Sequence, residues 1–388
     1  MKYSTTDFLK AATSTAEHFG FRIAENIGRN PVCLRCETPL NYTPENYPNN
    51  TNPVCSSVDS SLQSFCQNNL QALEAPVLIY SIEPPTASGE ISVSFNIYNV
   101  PKSIAEAILI QVGRSLLQDL GYNEPTVRIN SLGDAESMQR YSRELANFLR
   151  RRIDLMPAAT RELMKTGPLP TLLDLVRHDH DLAYKAPNPL EYLSDKSRKH
   201  FREIIEYLDM TDTLYEINPK MLENHHYFSD TLFSITSQPI DDEPFDLEIS
   251  GGRFDDFVFR KTDQIIPAAG TVITLRNSPK IPSRFPRLKK LRPDIYVIQL
   301  GFGPKIRSLM LIDELKQAKV PVYHNLSCDS LSEQLREAEE MGVHYTVIVG
   351  QKEFIEETVI LRDMKNRNQE NISTSQAVKK LKKQLIVA

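Results

Sequence analysis

The sequence has few of the features that mark secreted, membrane or strongly basic proteins. No apolar run approaches the roughly 20 residues that a membrane helix needs, so we expect no membrane segment. The first residues lack a charged start followed by an apolar block, so no signal peptide is expected. The 45 basic and 50 acidic residues give a net charge of −5. Overall charge therefore does not predict nucleic-acid binding, and any RNA contact must come from a local patch.

Cysteine is also scarce, with five in 388 residues. An odd number in a chain of this length favours a reducing cytoplasm over a disulfide framework. Cys33 and Cys36 form a Cys-x-x-Cys segment, which suits tetrahedral zinc because it places two thiolates on one turn. The other N-terminal pair, Cys55 and Cys66, is eleven residues apart. A zinc site made by these four residues and a set of free thiols both stay open.

Several catalytic motifs are missing as well. There is no Walker-type phosphate loop, no serine nucleophile elbow and no His-Glu-x-x-His segment. The length allows two or three domains with sizeable cores.

The first 276 residues show mixed helical and strand patterns. Apolar spacing and capping residues predict helices at 5–19, 103–120 and from an Asp134 cap to 152. Strands are predicted at 127–130 and at 91–99, the latter with one buried face. Residues 37–75 are rich in Asn, Pro, Ser and Thr, which is typical of a loop. Residues 157–210 are predicted to be mostly helical, and strands dominate 213–276, consistent with an antiparallel sheet.

The pattern changes after residue 277. Residues 278–293 contain four prolines, six basic residues and no acidic residue, which indicates a linker. From Asp294 the order is strand, helix, strand, helix, strand, which predicts a parallel sheet covered by helices. Ser330, with Glu333 three residues later, has the pattern of a helix cap. A further strand is predicted at 359–361 and a basic terminal helix at 374–385.

Three segments in fixed order resemble those of histidyl-tRNA synthetases, which are class II aminoacyl-tRNA synthetases. They are Val127–Asp134, Tyr215–Leu222 and Ser250–Asp255. The resemblance extends over about residues 90–275 and 294–365. It implies an α+β class II synthetase-like core, an antiparallel sheet with helices, followed by an α/β anticodon-binding-like domain. The implied domains are 1–277 with a helical insertion at about 155–210, the linker 278–293, and 294–388.

The resemblance also implies that the histidine-binding motifs have changed. The family's Arg-Gly-Leu-Asp-Tyr-Tyr motif corresponds to 223–228, so an arginine that stabilises negative charge is replaced by Glu223. The second motif keeps both glycines, its arginine and its aspartate. Residual positions of a substrate pocket are therefore predicted at Tyr227, Gly251, Gly252, Arg253 and Asp255.

The ATP-binding motifs have changed too. The family's strand-helix ending in Glu-Arg corresponds to 268–277, where Asn277 replaces the arginine and Arg276 lies one position away. The family's Phe-Arg-x-Glu strand, followed by a loop and a second strand, is not recognisable between residues 25 and 100. An adenylating site needs cations beside the phosphates. We therefore predict no catalytic residues and no amino-acid activation.

The leading functional hypothesis is a degenerate, cytoplasmic histidyl-tRNA-synthetase-like protein that binds tRNA or another RNA. One alternative is a divergent but active histidine–tRNA ligase, which would use ATP and histidine. Another is a regulatory subunit of histidine biosynthesis, although such synthetase-like subunits usually lack the anticodon-binding domain.

RNA binding would have to rest on local cations, since residues 294–388 contain 13 basic and 13 acidic residues. The predicted phosphate contacts lie in the linker and on the terminal helix, although the linker cations can equally be a solvated surface. They are Lys280, Arg284, Arg287, Lys289, Lys290, Arg292, Lys379, Lys380, Lys382 and Lys383. The resemblance further implies a homodimer formed through the first domain.

Overall fold

The computed structural model describes residues 4–24, 53–73, 75–83, 89–122, 124–222, 227–237, 246–276 and 293–387. The described helices of the N-terminal part are α1 Thr5–His18, α2 Pro53–Gln67, α3 Ile104–Asp119, α4 Ala135–Arg150, α5 Ala158–Leu163, α6 Pro168–Arg177, α7 Asp181–Tyr184, α8 Asp195–Met210 and α9 Asp255–Thr262. Its described strands are β1 Arg22–Ile23, β2 Val77–Ile82, β3 Ile91–Tyr98, β4 Thr126–Gly133, β5 Tyr215–Ile217, β6 Ser229–Thr236, β7 Leu247–Arg253 and β8 Ala268–Leu275.

These strands form one sheet in the order β1-β2-β3-β8-β7-β6-β4-β5. The inner pairs are antiparallel, whereas β1 and β5 join the edges in parallel. The predicted antiparallel sheet with helices is therefore confirmed, with parallel pairing added at both edges.

Helices cover both faces of the sheet centre. On one face, α1 and α3 pack against apolar residues such as Phe95 and Ile273. On the other, α2 packs against β2, β3 and β8 through Val58, Leu62 and Phe65. All residues of β3 and β8 are buried. The prediction that strand 91–99 has only one buried face is wrong, because a second helix covers the face that its serines line.

The prediction of a loop at 37–75 is also wrong for its second half. Residues 53–67 form α2, and a 3-10 turn follows at Leu70–Ala72. The helix has apolar residues at positions 58, 62 and 65, the spacing of one helical face. Its five serines hid this periodicity.

Local capping signals fix several helix starts. Asp134 caps α4 by accepting from the Ser137 amide at 3.0 Å, as predicted. The helical character of 157–210 is confirmed by α5–α8. In the region assigned to strands, however, residues 255–262 form α9.

The C-terminal part contains α10 Phe302–Gln317, α11 Leu331–Met341, α12 Gln351–Glu356, α13 Thr374–Val387, β9 Ile295–Gln299, β10 Tyr323–His324, β11 Tyr345–Val349, β12 Thr358–Asp363 and β13 Gln369–Ser373. The sheet order is β10-β9-β11-β12-β13, with β9, β10 and β11 parallel, as predicted. The antiparallel strand β13 was not predicted. Ser330 caps α11 by accepting from the Glu333 amide.

The C-terminal part packs directly on α1 and α3. The His18 ring bonds to the Ile312 carbonyl at 2.8 Å, and Ser115 donates to Asp313 at 2.7 Å. Lys316 pairs with Asp119 at 2.6 Å. Residues 277–292 lie outside the described residues, so the predicted division of the chain there stays a prediction. Among the described helices, none is long and apolar enough to cross a membrane.

Candidate functional site

Arg253, at the end of β7, is buried, and its guanidinium is hydrogen-bonded to other groups of the chain. It donates to the two carboxylate oxygens of Glu106 at 2.8 and 2.9 Å. It also donates to the carbonyls of Val100 and Lys102 and to Asp255, at 3.2–3.3 Å. The side chain of Glu106, on α3, is 0% exposed. The pair therefore ties β7 to α3 within the core.

Other titratable groups surround this ion pair. His200 lies 2.7 Å from Glu106. Burial alone would raise the pKa of Glu106, but the charges of Arg253 and His200 and their hydrogen bonds lower it to about 2. Burial would lower the pKa of His200, but the Glu106 carboxylate holds it above its usual value. Burial raises the pKa of Asp230 and of Asp255. These groups form an internal charge network that connects α3, α8, β6, β7 and α9.

The two retained glycines of β7 make room for aromatic rings of the same chain. A Cβ on Gly251 would collide with the Phe233 ring. A Cβ on Gly252 would collide with the Thr231 carbonyl and lie about 3.0 Å from the Phe228 ring. These glycines are therefore required by close packing within the sheet.

Tyr227 is half-buried against α9, with its ring centroid 5.6 Å from that of Phe257 in an edge-to-face arrangement. Gly251, Gly252, Arg253 and Asp255 are consecutive or nearly so along β7 and the start of α9. The structure thus gives each of the five predicted pocket positions protein neighbours. Their assignment to a substrate pocket stays a prediction.

Helix α2 occupies the sheet face opposite α3. The Phe65 ring stacks on Tyr98 of β3 with centroids 4.2 Å apart. The hydroxyls of Ser61 and Tyr98 are 2.9 Å apart. At β3 and β8, this face is covered by the chain's own helix.

The stretch in which no Phe-Arg-x-Glu strand was recognised contains the antiparallel strands β2 and β3. The strand β2 ends in Tyr80-Ser81-Ile82, followed by Glu83, so an alignment with Phe-Arg-x-Glu would place Ser81 at the arginine; this correspondence is a hypothesis. Ser81 donates to Glu83 at 2.8 Å, and burial raises the pKa of Glu83. The signal that could have revealed this segment is the glutamate directly after an apolar strand.

Arg276, one position from the missing arginine of the last motif, is engaged within the chain. Residues 268–275 form a continuous strand. Arg276 forms an ion pair with Glu248 of β7. Asn277 and Glu223 lie outside the described residues.

The zinc site predicted from the four N-terminal cysteines stays a prediction. Cys55 and Cys66 both belong to α2, where eleven residues correspond to a rise of about 16 Å. The Cys66 thiol is buried, and burial raises its pKa to about 11. Cys33 and Cys36 lie outside the described residues. Among the residues that the structure describes, no group of three or more His, Cys, Asp or Glu side chains could hold a metal ion.

The predicted cations of the terminal helix share one face. At 100° per residue, Lys379, Lys382 and Lys383 fall within about 100° of arc, and all three are exposed. Lys380 forms an ion pair with Glu370 of β13. Leu381 packs into the core. The six linker cations lie outside the described residues.

Comparison with known proteins identifies one domain, in the C-terminal part. Residues 294–384 match the family model described as "Anticodon binding domain". The chain is 24% identical over 269 residues to the chloroplastic histidine–tRNA ligase of Porphyra purpurea, covering 69% of this chain and 62% of the relative. It is 25% identical over 286 residues to the histidine–tRNA ligase of Thermodesulfovibrio yellowstonii, covering 74% and 68%.

Solved structures of similar proteins include apo histidyl-tRNA synthetase of S. aureus, with a TM-score of 0.44 and 16% identity, covering 84% of this chain and 82% of the other. The chain spans less than two thirds of the length of the first relative, the Porphyra purpurea ligase. The matches to these ligases span 269 and 286 residues, which is more than the C-terminal part contains. The chain is therefore similar to histidine–tRNA ligases, and residues 294–384 match the anticodon-binding domain.

Proposed function

We propose that the protein binds tRNA, or another RNA, through its anticodon-binding-like domain and does not activate an amino acid. The observation that carries this proposal is the packing of α2 over β2, β3 and β8. The resemblance assigns ATP contacts to residues 268–277, which include β8. Here α1 and α3 cover one face of the strands and α2 covers the other.

The distribution of positive charge supports the same proposal. Activation of a carboxylate by ATP places negative charge on the phosphates and on the attacking oxygen, and fixed cations stabilise it. In the family motifs, arginines supply such cations. This chain has Ser81, Glu223 and Asn277 at three of those positions. The retained Arg253 is already neutralised by Glu106 at 2.8 Å.

RNA binding is supported by the domain match and by the lysine face of α13. Phosphate contacts by exposed lysines release counterions, so binding should weaken as salt rises. The homodimer and the cytoplasmic location implied by the resemblance remain part of this proposal.

The decisive experiment is ATP–pyrophosphate exchange with and without histidine. We expect no histidine-dependent exchange above that of a blank lacking protein. A known active histidine–tRNA ligase in the same assay provides the positive control. Clear histidine-dependent exchange would favour the alternative, a divergent active ligase. The similar proteins are named histidine–tRNA ligases.

A second measurement tests the RNA half of the proposal separately. Fluorescence anisotropy with labelled bulk tRNA should show saturable binding by the full chain at low salt. Binding should weaken steeply between about 50 and 200 mM salt. If no tRNA binding is detected even at low salt, the RNA-binding role fails, whatever the exchange assay shows.

A further inference from the structure

A pocket of about 600 Å³ lies where the insertion meets the C-terminal part. The end of α8 contributes Glu206, Asp209 and Met210 to its walls. The start of α10 contributes Phe302, and α12 contributes Phe354. The pocket is largely open to solvent.

The walls of this pocket are tied together. The rings of Tyr207 on α8 and Phe302 on α10 have centroids 4.8 Å apart. A Cβ on Gly303 would lie 2.7 Å from the ring of Phe354, so glycine permits α12 to approach the first turn of α10. The pocket is therefore formed by packed elements and exists before any ligand arrives.

The charge of the pocket is negative. Glu206 and Asp209 are its charged lining residues, and both are exposed. The N-terminus of α10 adds a partial positive charge of about +0.5, which two full carboxylate charges outweigh. Lys352, beside the pocket residue Gln351, lies 3.9 Å from Glu356 of its own helix. A phosphate would be repelled here, whereas a cationic group would be attracted.

The rim of the pocket is apolar. Met210 is 39% exposed and Phe302 is 37% exposed. Ile355, which is 71% exposed, lies one turn after the pocket residue Gln351 on α12 and therefore on the same face of that helix. A small inorganic cation would leave this surface in water. A peptide with a basic side chain and apolar neighbours would satisfy the carboxylates and cover the rim together.

We propose that this pocket, which we call the α8–α10 pocket, docks a basic segment of a partner protein. An arginine or lysine of the segment pairs with Glu206 and Asp209, with its stem or guanidinium against the ring of Phe302. Apolar residues on either side of the basic residue cover Met210 and Ile355. This interaction is separate from RNA binding and does not depend on it.

The test uses the full chain and a fluorescein-labelled decapeptide of alternating arginine and leucine. Fluorescence anisotropy should show saturable 1:1 binding that weakens as salt rises, since exposed charges are screened. The double variant Glu206→Gln/Asp209→Asn keeps the shape of both side chains and should lower the affinity about tenfold or more. The matched control Asp154→Asn/Glu162→Gln removes the same charge from exposed residues elsewhere, and it should bind like the parent protein.

An apolar pair of variants tests the rim. Met210→Ser should weaken binding severalfold, whereas Met341→Ser, at a methionine that is 43% exposed on α11, should not. Three results would overturn the proposal. One is equal binding by the parent and the Glu206→Gln/Asp209→Asn variant. Another is equal binding of a glutamate–leucine decapeptide. The third is displacement of the peptide by spermidine at equal affinity, which would make the pocket a site for small amines.

Discussion

Removing Arg253 from its ion pair with Glu106 tests whether this arginine, which the family motif also has, serves the structure rather than a ligand. In Arg253→Met, the buried Glu106 carboxylate would keep His200 as a partner but lose two charge-assisted bonds. Removing one partner of a buried ion pair typically costs about 3–5 kcal/mol. The free energy of unfolding should therefore fall by about that amount.

The pKa of Glu106 gives an independent magnitude. Its folded pKa of about 2 lies below the usual value of 4.5, a difference that corresponds to roughly 3 kcal/mol at 1.36 kcal/mol per pKa unit. Because the folded pKa is depressed, this stability is present above about pH 4.5 and is lost as the pH falls through about 2. Both routes lead to the same order of magnitude.

Urea unfolding followed by circular dichroism at pH 7 provides the measurement. Arg276→Met is a matched control, since Arg276 also pairs with a glutamate but its side chain is 55% exposed. Pairs of that kind contribute about 0–1 kcal/mol. The double variant Glu106→Leu/Arg253→Met should be more stable than Arg253→Met, because no unpaired charge stays buried.

The outcome that contradicts this reasoning is a loss in Arg253→Met no larger than in Arg276→Met. Arg253 would then be free to serve a ligand, as the pocket hypothesis requires.

Further predictions concern RNA, pH, zinc and assembly. Exchanging Lys379, Lys382 and Lys383 for Gln should weaken tRNA binding and reduce the slope of log K against log salt concentration by about 3. The same exchange at the exposed Lys165, Lys196 and Lys199 should change neither quantity, and fluorescence anisotropy measures both. Burial lowers the pKa of His18 to about 4. The neutral, buried His18 therefore stabilises the fold fully above about pH 6.5, and this stability is lost as the pH falls towards 4. His18→Gln should flatten the pH dependence of the free energy of unfolding in urea between these two pH values. Elemental analysis should find zinc lost in Cys33→Ser/Cys36→Ser but retained in Cys66→Ala, and metal-free parent protein would refute a zinc site. Light scattering should give about twice the chain mass of 44.2 kDa, and a single chain mass at micromolar concentration would count against the dimer.

The sequence predicts elements whose signals are local. Helix α1 follows from its apolar spacing, and α4 from the Asp134 cap, because capping and periodicity act within a few residues. Helix α2 was missed because its serine-rich composition resembles a loop, while its stability comes from packing on a distant sheet.

The candidate site was less predictable because its contacts are long-range. Arg253 and Glu106 lie 147 residues apart in the chain, and no local pattern pairs them. The α8–α10 pocket similarly joins residues near 206 with residues near 302 and 354. Composition identified charged residues in each segment but could not say which would meet.

The glycines of β7 show why a retained motif does not by itself indicate a retained activity. In a pocket, Gly251 and Gly252 would leave room for a ligand. Here, aromatic rings of Phe233 and Phe228 occupy the space that a Cβ would need. A ligand pocket and close packing both exclude a larger side chain, so both require glycine at these two positions. What separates the two uses is the neighbouring chemistry, and here Arg253 is paired with a buried carboxylate while α2 covers the other face of the sheet. The motif is therefore explained by packing, and activity has to be tested by exchange of pyrophosphate.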